Sequence, residues 1–205
     1  MTDNESPEIQ ILLLGDADCG KSTFLSRISQ GSPIGPKLNP NITANKSPIP
    51  LLRDENQPFV FEIKFGNKPF RFEFYDTASP NSWKLLTPSV IILCYDISSR
   101  ISLIDVQRLW SPLLSQPFTP SLLATVPVLL LGLKRDLRSE TDPNGIIYPQ
   151  EAYRIAQEMR CDKYMECSAF TGELVQEVVE DICRTAANSA RAEGGGLSEG
   201  GCLVM

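Results

Sequence analysis

"ILLLGDADCGKSTFL", residues 11–25, decides how the rest of the chain is read. The apolar run Ile9–Leu14 predicts a strand buried on both faces, and Lys21–Gln30 predicts a helix. Between them lies Gly15-x-x-x-x-Gly20-Lys21-Ser22. A glycine-bounded turn from a buried strand into a helix is a ready anion site. Its backbone N–H groups wrap a phosphate where the helix dipole also favours negative charge. In such a loop Lys21 reaches the β- and γ-phosphates and the Ser22 hydroxyl binds Mg²⁺. Asp18 adds a negative charge to this loop. Because backbone builds the cradle, its side chain is expected to point to solvent; the other reading is repulsion that weakens binding and speeds release.

The remaining chain alternates strand and helix patterns. Phe59–Phe65 and Phe70–Tyr75 read as strands joined at Gly66-Asn67, a hairpin turn. Val90–Tyr95 and Val126–Leu131 read as buried strands, with a helix between them placing Ile101, Ile104, Val106, Leu109 and Leu113 mostly on one side. Gln150–Met159, Tyr164–Cys167 and Glu173–Ala187 read as helix, strand and helix. Helices between buried strands imply crossovers, hence an α/β fold with a mostly parallel sheet and one antiparallel edge strand. The expected division is a flexible 1–8, one domain over 9–187, and a tail over 188–205 whose Gly, Ser and Ala read as a flexible linker. Within the domain, the proline-rich stretch 31–58 reads as a long loop.

Composition narrows the function. A net charge of −6 argues against a nucleic-acid surface. No apolar run reaches membrane-span length, and "MTDNESPE" lacks the regions of a signal peptide, so a cytosolic location is expected. There is no histidine, and the six cysteines are scattered without a C-x-x-C, so zinc sites and histidine-based nucleophilic catalysis are poorly supported. The interior cysteines read as small buried hydrophobes.

"LLLGDADCGKST", "FYDTA", "GLKRDLR", "YPQEAYRIAQEMRCDKYMECSAFTGE" and the terminal "CLVM" together resemble a Rho-family small GTPase. Tyr148-Pro149-Gln150 and Glu166-Cys167-Ser168-Ala169 point to Rho rather than to Ras, Rab or Arf relatives. The resemblance implies a phosphate-loop NTPase fold, a six-stranded, mostly parallel sheet with helices on both faces. It implies GTP or GDP and Mg²⁺ as cofactors, and effector and regulator proteins as partners through two switch regions. Signal transduction, with control of the actin cytoskeleton or cell polarity, follows from the same resemblance. Residues 15–23 (Gly15, Asp16, Ala17, Asp18, Cys19, Gly20, Lys21, Ser22, Thr23) match the phosphate and magnesium motif. Asp76 matches the aspartate that holds Mg²⁺ through water. Lys134 and Asp136 match the guanine motif, in which the carboxylate accepts from the base's N1 and N2 donors. Ser168 and Ala169 match the loop whose backbone N–H meets guanine O6.

The departures from the family concern cleavage more than binding. The family follows Asp-Thr-Ala with Gly-Gln, whereas this chain has Ser79-Pro80, so the glutamine that orients the attacking water is replaced by Pro80 and no confident catalytic residue remains. Ala17 stands where the family has glycine, and its methyl would crowd an entering arginine finger. Gly31–Gln57 is longer than the family's first switch, and no threonine falls at its metal-binding place; Thr43 is the candidate substitute. The second switch is shortened, the helical insert before Tyr148 is largely missing, and Leu133 replaces a polar residue of the guanine motif. Weakened nucleotide affinity and slow or absent hydrolysis are the expectation.

Cys202-Leu203-Val204-Met205 fits a prenylation signal, with terminal Met favouring farnesyl. One lipid gives only marginal membrane binding, and the usual polybasic helper is missing between Ala186 and Gly201. A chain partly cytosolic and partly at the cytosolic membrane face is expected, with Cys183 a weak palmitoylation candidate. Two functions stay open: a Rho-type GTP-binding signalling protein, or a GTPase-shaped scaffold with weak or no nucleotide cycling. A small kinase is disfavoured by Lys134-Arg135-Asp136 and the terminal cysteine.

Overall fold

Six strands form one sheet: β1 (Glu8–Leu14), β2 (Phe59–Phe65), β3 (Lys68–Asp76), β4 (Val90–Asp96), β5 (Val128–Leu133) and β6 (Lys163–Glu166). The computed structural model describes residues 8–30, 57–65, 68–76, 83, 85–115, 118–138, 141 and 147–194. Strand order is β2-β3-β1-β4-β5-β6. Only β2 and β3 pair antiparallel; β1 with β3 and β4, β4 with β5, and β5 with β6 are parallel. The sheet class and strand number are those expected from the sequence. The expectations for Thr43, the Gly66-Asn67 turn, Ser79-Pro80 and Cys202 fall outside the described residues, as do those for most of residues 1–8, most of loop 31–58 and the end of the tail.

The central strands are apolar throughout because each faces two cores. Every residue of β4 is buried. Val90, Ile92 and Cys94 join one core with Ile9, Ile11 and Leu13, while Ile91, Leu93 and Tyr95 join the other with Leu12 and Leu14. The first core is covered by helix α1 (Lys21–Gln30), through Phe24, Leu25 and Ile28, and by the final helix, residues Val175–Gly194. The second is covered by helix α2 (Arg100–Asp105), which continues as a π-helical stretch over Val106–Trp110 and a short α3 (Ser111–Leu113). After the short α4 (Pro120–Leu123), helix α5 (Pro149–Glu158) adds Ala152, Ile155 and Ala156 to the same core.

Three expectations are corrected here. The inward side of the α2 region is Leu103, Val106, Trp110 and Leu114, whereas Ile101, Ile104 and Leu109 are exposed. Two apolar stripes compete on that helix, and the one carrying the larger ring is buried. The final helix, α6 (Val175–Gly194), also runs past the expected end at Ala187 into the tail. Ala186 and Ala187 are buried, and the Arg191 guanidinium lies 5.2 Å from the centroid of the Phe70 ring, which gives this part of the tail a surface to dock on. Cys183, finally, is completely buried and its thiol is pushed up by that burial, so it presents no surface for acylation. Cys19, Cys94 and Cys167 are likewise buried.

Leu131 is fully buried at the centre of β5. Leu131→Ala should cost about 2–5 kcal/mol. Urea denaturation checks this: the midpoint should fall with the slope unchanged.

Candidate nucleotide site

The loop at 15–20 follows directly from the end of β1. Gly15 has φ +151°, and a Cβ there would sit 2.2 Å from the Cys94 carbonyl oxygen on β4, so only glycine fits. Asp18 adopts a left-handed conformation, φ 61°, which aspartate tolerates better than most residues. It is exposed, as is Ala17, whereas the Cys19 side chain is buried in the core and leaves only its backbone for a ligand. Gly20 has φ +113° and opens α1, where its carbonyl accepts from Phe24 N at 2.9 Å.

Lys21, on the first turn of α1, is 7% exposed. Its Nζ donates to the carbonyls of Gly15 (2.9 Å) and Asp16 (2.8 Å) and lies 3.7 Å from Asp76 Oδ1. Ser22 Oγ donates to the other Asp76 oxygen at 3.1 Å. A cation, a hydroxyl and a carboxylate from two elements thus meet at one point. Asp76 ends β3, and its backbone is held by the Gln57 carboxamide, which accepts from Asp76 N at 3.1 Å and donates to Asp76 O at 2.6 Å.

A cavity of about 340 Å³ opens beside α1; Gly20, Thr23, Lys134, Asp136, Ala169 and Phe170 are among its lining residues. It brings the phosphate loop together with two loops that leave β5 and β6. Lys134 follows β5 in a left-handed conformation, φ 59°, and donates to Asp96 Oδ2 at 2.8 Å. The other Asp96 oxygen accepts from the backbone and hydroxyl of Ser98 at 2.8 and 2.6 Å. Asp136 is exposed, and its Oδ1 accepts from the Ser168 hydroxyl. Ser168 N–H is used by Glu173 O at 3.0 Å. The next residue, Ala169, has its carbonyl held by Arg27 Nε at 2.5 Å, while Arg27 Nη2 holds the Phe170 carbonyl at 2.5 Å. Behind these loops Glu166 accepts from Arg138 and Tyr164 and lies 3.5 Å from Arg135. Burial first, then this carboxylate, sets the surroundings; the Arg138 guanidinium is raised by its bond to Glu166 against the burial that opposes it.

Of the expected residues that are described, Gly15, Gly20, Lys21, Ser22, Asp76, Lys134, Asp136, Ser168 and Ala169 lie around one cavity and loop, whereas Ala17 and Asp18 are exposed and Cys19 is buried in the core. Asp96, Arg27 and Gln57 were not anticipated. Asp96 had a legible signal: it ends a buried strand level with Leu133, one residue before Lys134. Arg27 and Gln57 act through tertiary contacts that no local pattern records.

A buried strand, a glycine loop closing on a helix N-terminus, and a cavity lined by a lysine and an aspartate mark out a candidate nucleotide site in an α/β fold. A model of the Ras family matches residues 10–188. GTP-binding protein rho2 of Schizosaccharomyces pombe is 27% identical over 95% of this chain and 95% of its own length. Rho-related protein racI of Dictyostelium discoideum is 29% identical over 86% of this chain and 85% of its own length. This chain belongs to the Ras family of small GTPases, and both relatives place it with the Rho-type GTP-binding members.

Burial, then the neighbouring Asp16 carboxylate, raises the Asp105 carboxyl above the ordinary aspartate value. A raised folded-state value means that ionising Asp105 costs folding stability as pH climbs. Asp105→Asn should therefore raise Tm at pH 7, and the gain should vanish below about pH 4, where the unfolded aspartate is also protonated. Thermal melts across pH check this.

Proposed function

We propose that this chain is a Rho-type signalling protein that holds guanine nucleotide with Mg²⁺ and cleaves it slowly or not at all. The observation that carries the reading is the single cavity in which Gly20 and Thr23 of the phosphate loop meet Lys134, Asp136 and Ala169. The fit is physical as well as positional. Gly15 lets the chain turn tightly against β4 where a Cβ would strike the Cys94 carbonyl, and Ser22 and Asp76 supply a hydroxyl and a carboxylate 3.1 Å apart, the oxygen donors Mg²⁺ prefers. Mg²⁺, when bound there, neutralises charge on the phosphate oxygens.

Each residue then has a stated task. The loop N–H groups and Lys21 bind phosphate, Lys21 turning from the carbonyls of Gly15 and Asp16. Asp136 accepts from the base's N1–H and 2-amino group, which adenine lacks, and Ser168 keeps the carboxylate oriented. Ala169 N–H is the donor for the base oxygen. Asp136→Ala should lower GDP affinity by about 10–100-fold, the worth of a charged hydrogen-bond pair. Titration calorimetry with GDP and with pyrophosphate checks this: pyrophosphate affinity should not change.

Slow cleavage rests on Ala17 and Ser79-Pro80 where the family has glycine and Gly-Gln. In single-turnover assays Pro80→Gln with Ser79→Gly should raise the rate of hydrolysis. An unchanged rate would place the defect in another segment. Effectors and regulators would meet the segments flanking Asp76, in actin or polarity signalling by family resemblance. Farnesylated Cys202 would supply a marginal anchor at the cytosolic membrane face. Fractionation of wild type against Cys202→Ser decides the last point: identical distributions would remove the anchor.

A second reading, a scaffold with an empty site, is favoured by the self-sufficiency of Lys21, which already has two carbonyls and a carboxylate as partners. Nucleotide content of the purified chain separates the two. Bound GTP supports the first reading and an empty, non-binding site the second.

A further inference from the structure

Asp16 is the loop residue whose side chain turns to a distant element. Its Oδ1 accepts from the Trp110 indole N–H at 2.7 Å, across 94 positions of sequence. Trp110 is 7% exposed and ends the π-helical stretch Val106–Trp110. Such a stretch adds a residue to a helical turn and re-aims its side chains, and it recurs at functional sites. On its other side the Trp110 ring packs on Trp83, centroids 6.2 Å apart at 37°. Trp83 is fully buried although it belongs to the segment that follows Asp76.

We infer that Trp110 is a positioning residue of the phosphate loop, and that the Trp83 ring, packed on it, belongs to the same anchor. The inference rests on the nucleotide reading above. The loop's conformation is held at Lys21 by bonds to backbone and at Asp16 by a bond to a side chain on the opposite core. Asp16 carries the backbone carbonyl that Lys21 bonds, so fixing its side chain restrains the peptide that must reorient when phosphate draws Lys21 away. Trp83 and Trp110 pack as tilted rings within one buried cluster, so movement of the loop that reaches Trp110 is felt at the shared ring contact. Trp83 is thereby fastened to the core through the same cluster.

These are the two tryptophans of the chain, so its intrinsic emission comes from this cluster. Trp110→Phe removes the donor and keeps an aromatic ring. GDP affinity should fall about tenfold, while guanosine, followed by NMR, should bind as it does to wild type. Asp16→Ala, which also removes the charge facing Asp105, should lower affinity at least as far, and the double variant no further than Asp16→Ala alone, because the Trp110 bond is already gone. In Trp83→Phe, where Trp110 is the sole emitter, adding pyrophosphate should shift its emission. Equal GDP affinity in wild type and Trp110→Phe, additive losses in the double variant, or an unmoved Trp110 emission would each overturn the inference. If Trp110→Phe does not fold, Asp16→Ala and the Trp83→Phe emission carry the test. Wild type that binds no GDP removes the nucleotide reading instead. Emission of Trp83→Phe with and without Asp16→Ala then tests the bond alone: a shift supports it and identical spectra overturn it.

Discussion

The parallel pairing of β1 with β3 sets Leu13 opposite Asp76, and the site depends on that register. It brings the end of β3 level with the start of the loop that leaves β1. The Asp76 carboxylate is thereby delivered to Lys21 and Ser22 on the first turn of α1. A carboxylate this covered needs a partner cation and hydrogen bonds, and it has both. Gln57, two residues before the antiparallel partner β2, contributes its carboxamide, which brackets the Asp76 peptide beyond the end of the ladder. A slip of one residue in either pairing would turn Asp76 toward the opposite face.

The base end is built by the same means at the other side of the sheet. β4, β5 and β6 end at Asp96, Leu133 and Glu166, and the loops leaving the last two carry Lys134, Asp136, Ser168 and Ala169. Asp96 at the end of β4 receives Lys134, and Ser168 supports Asp136, so each candidate residue of the loop after β5 is held by a side chain from another element. Close packing limits this region: a Cβ at Gly132 would sit 2.8 Å from the Tyr95 hydroxyl. Arg27 joins the two ends, since it lies on the helix that Lys21 begins and holds two carbonyls of the base loop.

What the sequence disclosed follows from how each residue earns its place. Ile9–Leu14 and Val90–Tyr95 were legible because strands buried on both faces need uninterrupted apolar runs. Gly15, Gly20, Lys21 and Ser22 were legible because phosphate binding restricts both residue type and spacing. The facing of α2 was misread because Ile101 and Ile104 compete there with Leu103 and Trp110, and only packing against Leu12 and Leu93 decides between the stripes. Residues 188–194 looked like linker because alanine and glycine carry little periodic signal. Their helix is explained by buried Ala187 and by Arg191 over Phe70, contacts visible only in three dimensions.

The supports differ in kind from the residues they support. Motif residues act on a ligand, so their chemistry is fixed and a pattern can find them. Arg27, Gln57, Asp96 and Trp110 act on the motif, and each could be replaced by another residue reaching the same atom. Lys21 is satisfied by its own loop, Asp76 by Gln57 and Ser22, and Asp16 by Trp110. A site so fully bonded within itself keeps its shape independently of phosphate. Under the nucleotide reading, phosphate would have to displace the bonds that Lys21 already makes to Gly15 and Asp16 rather than order a loose loop.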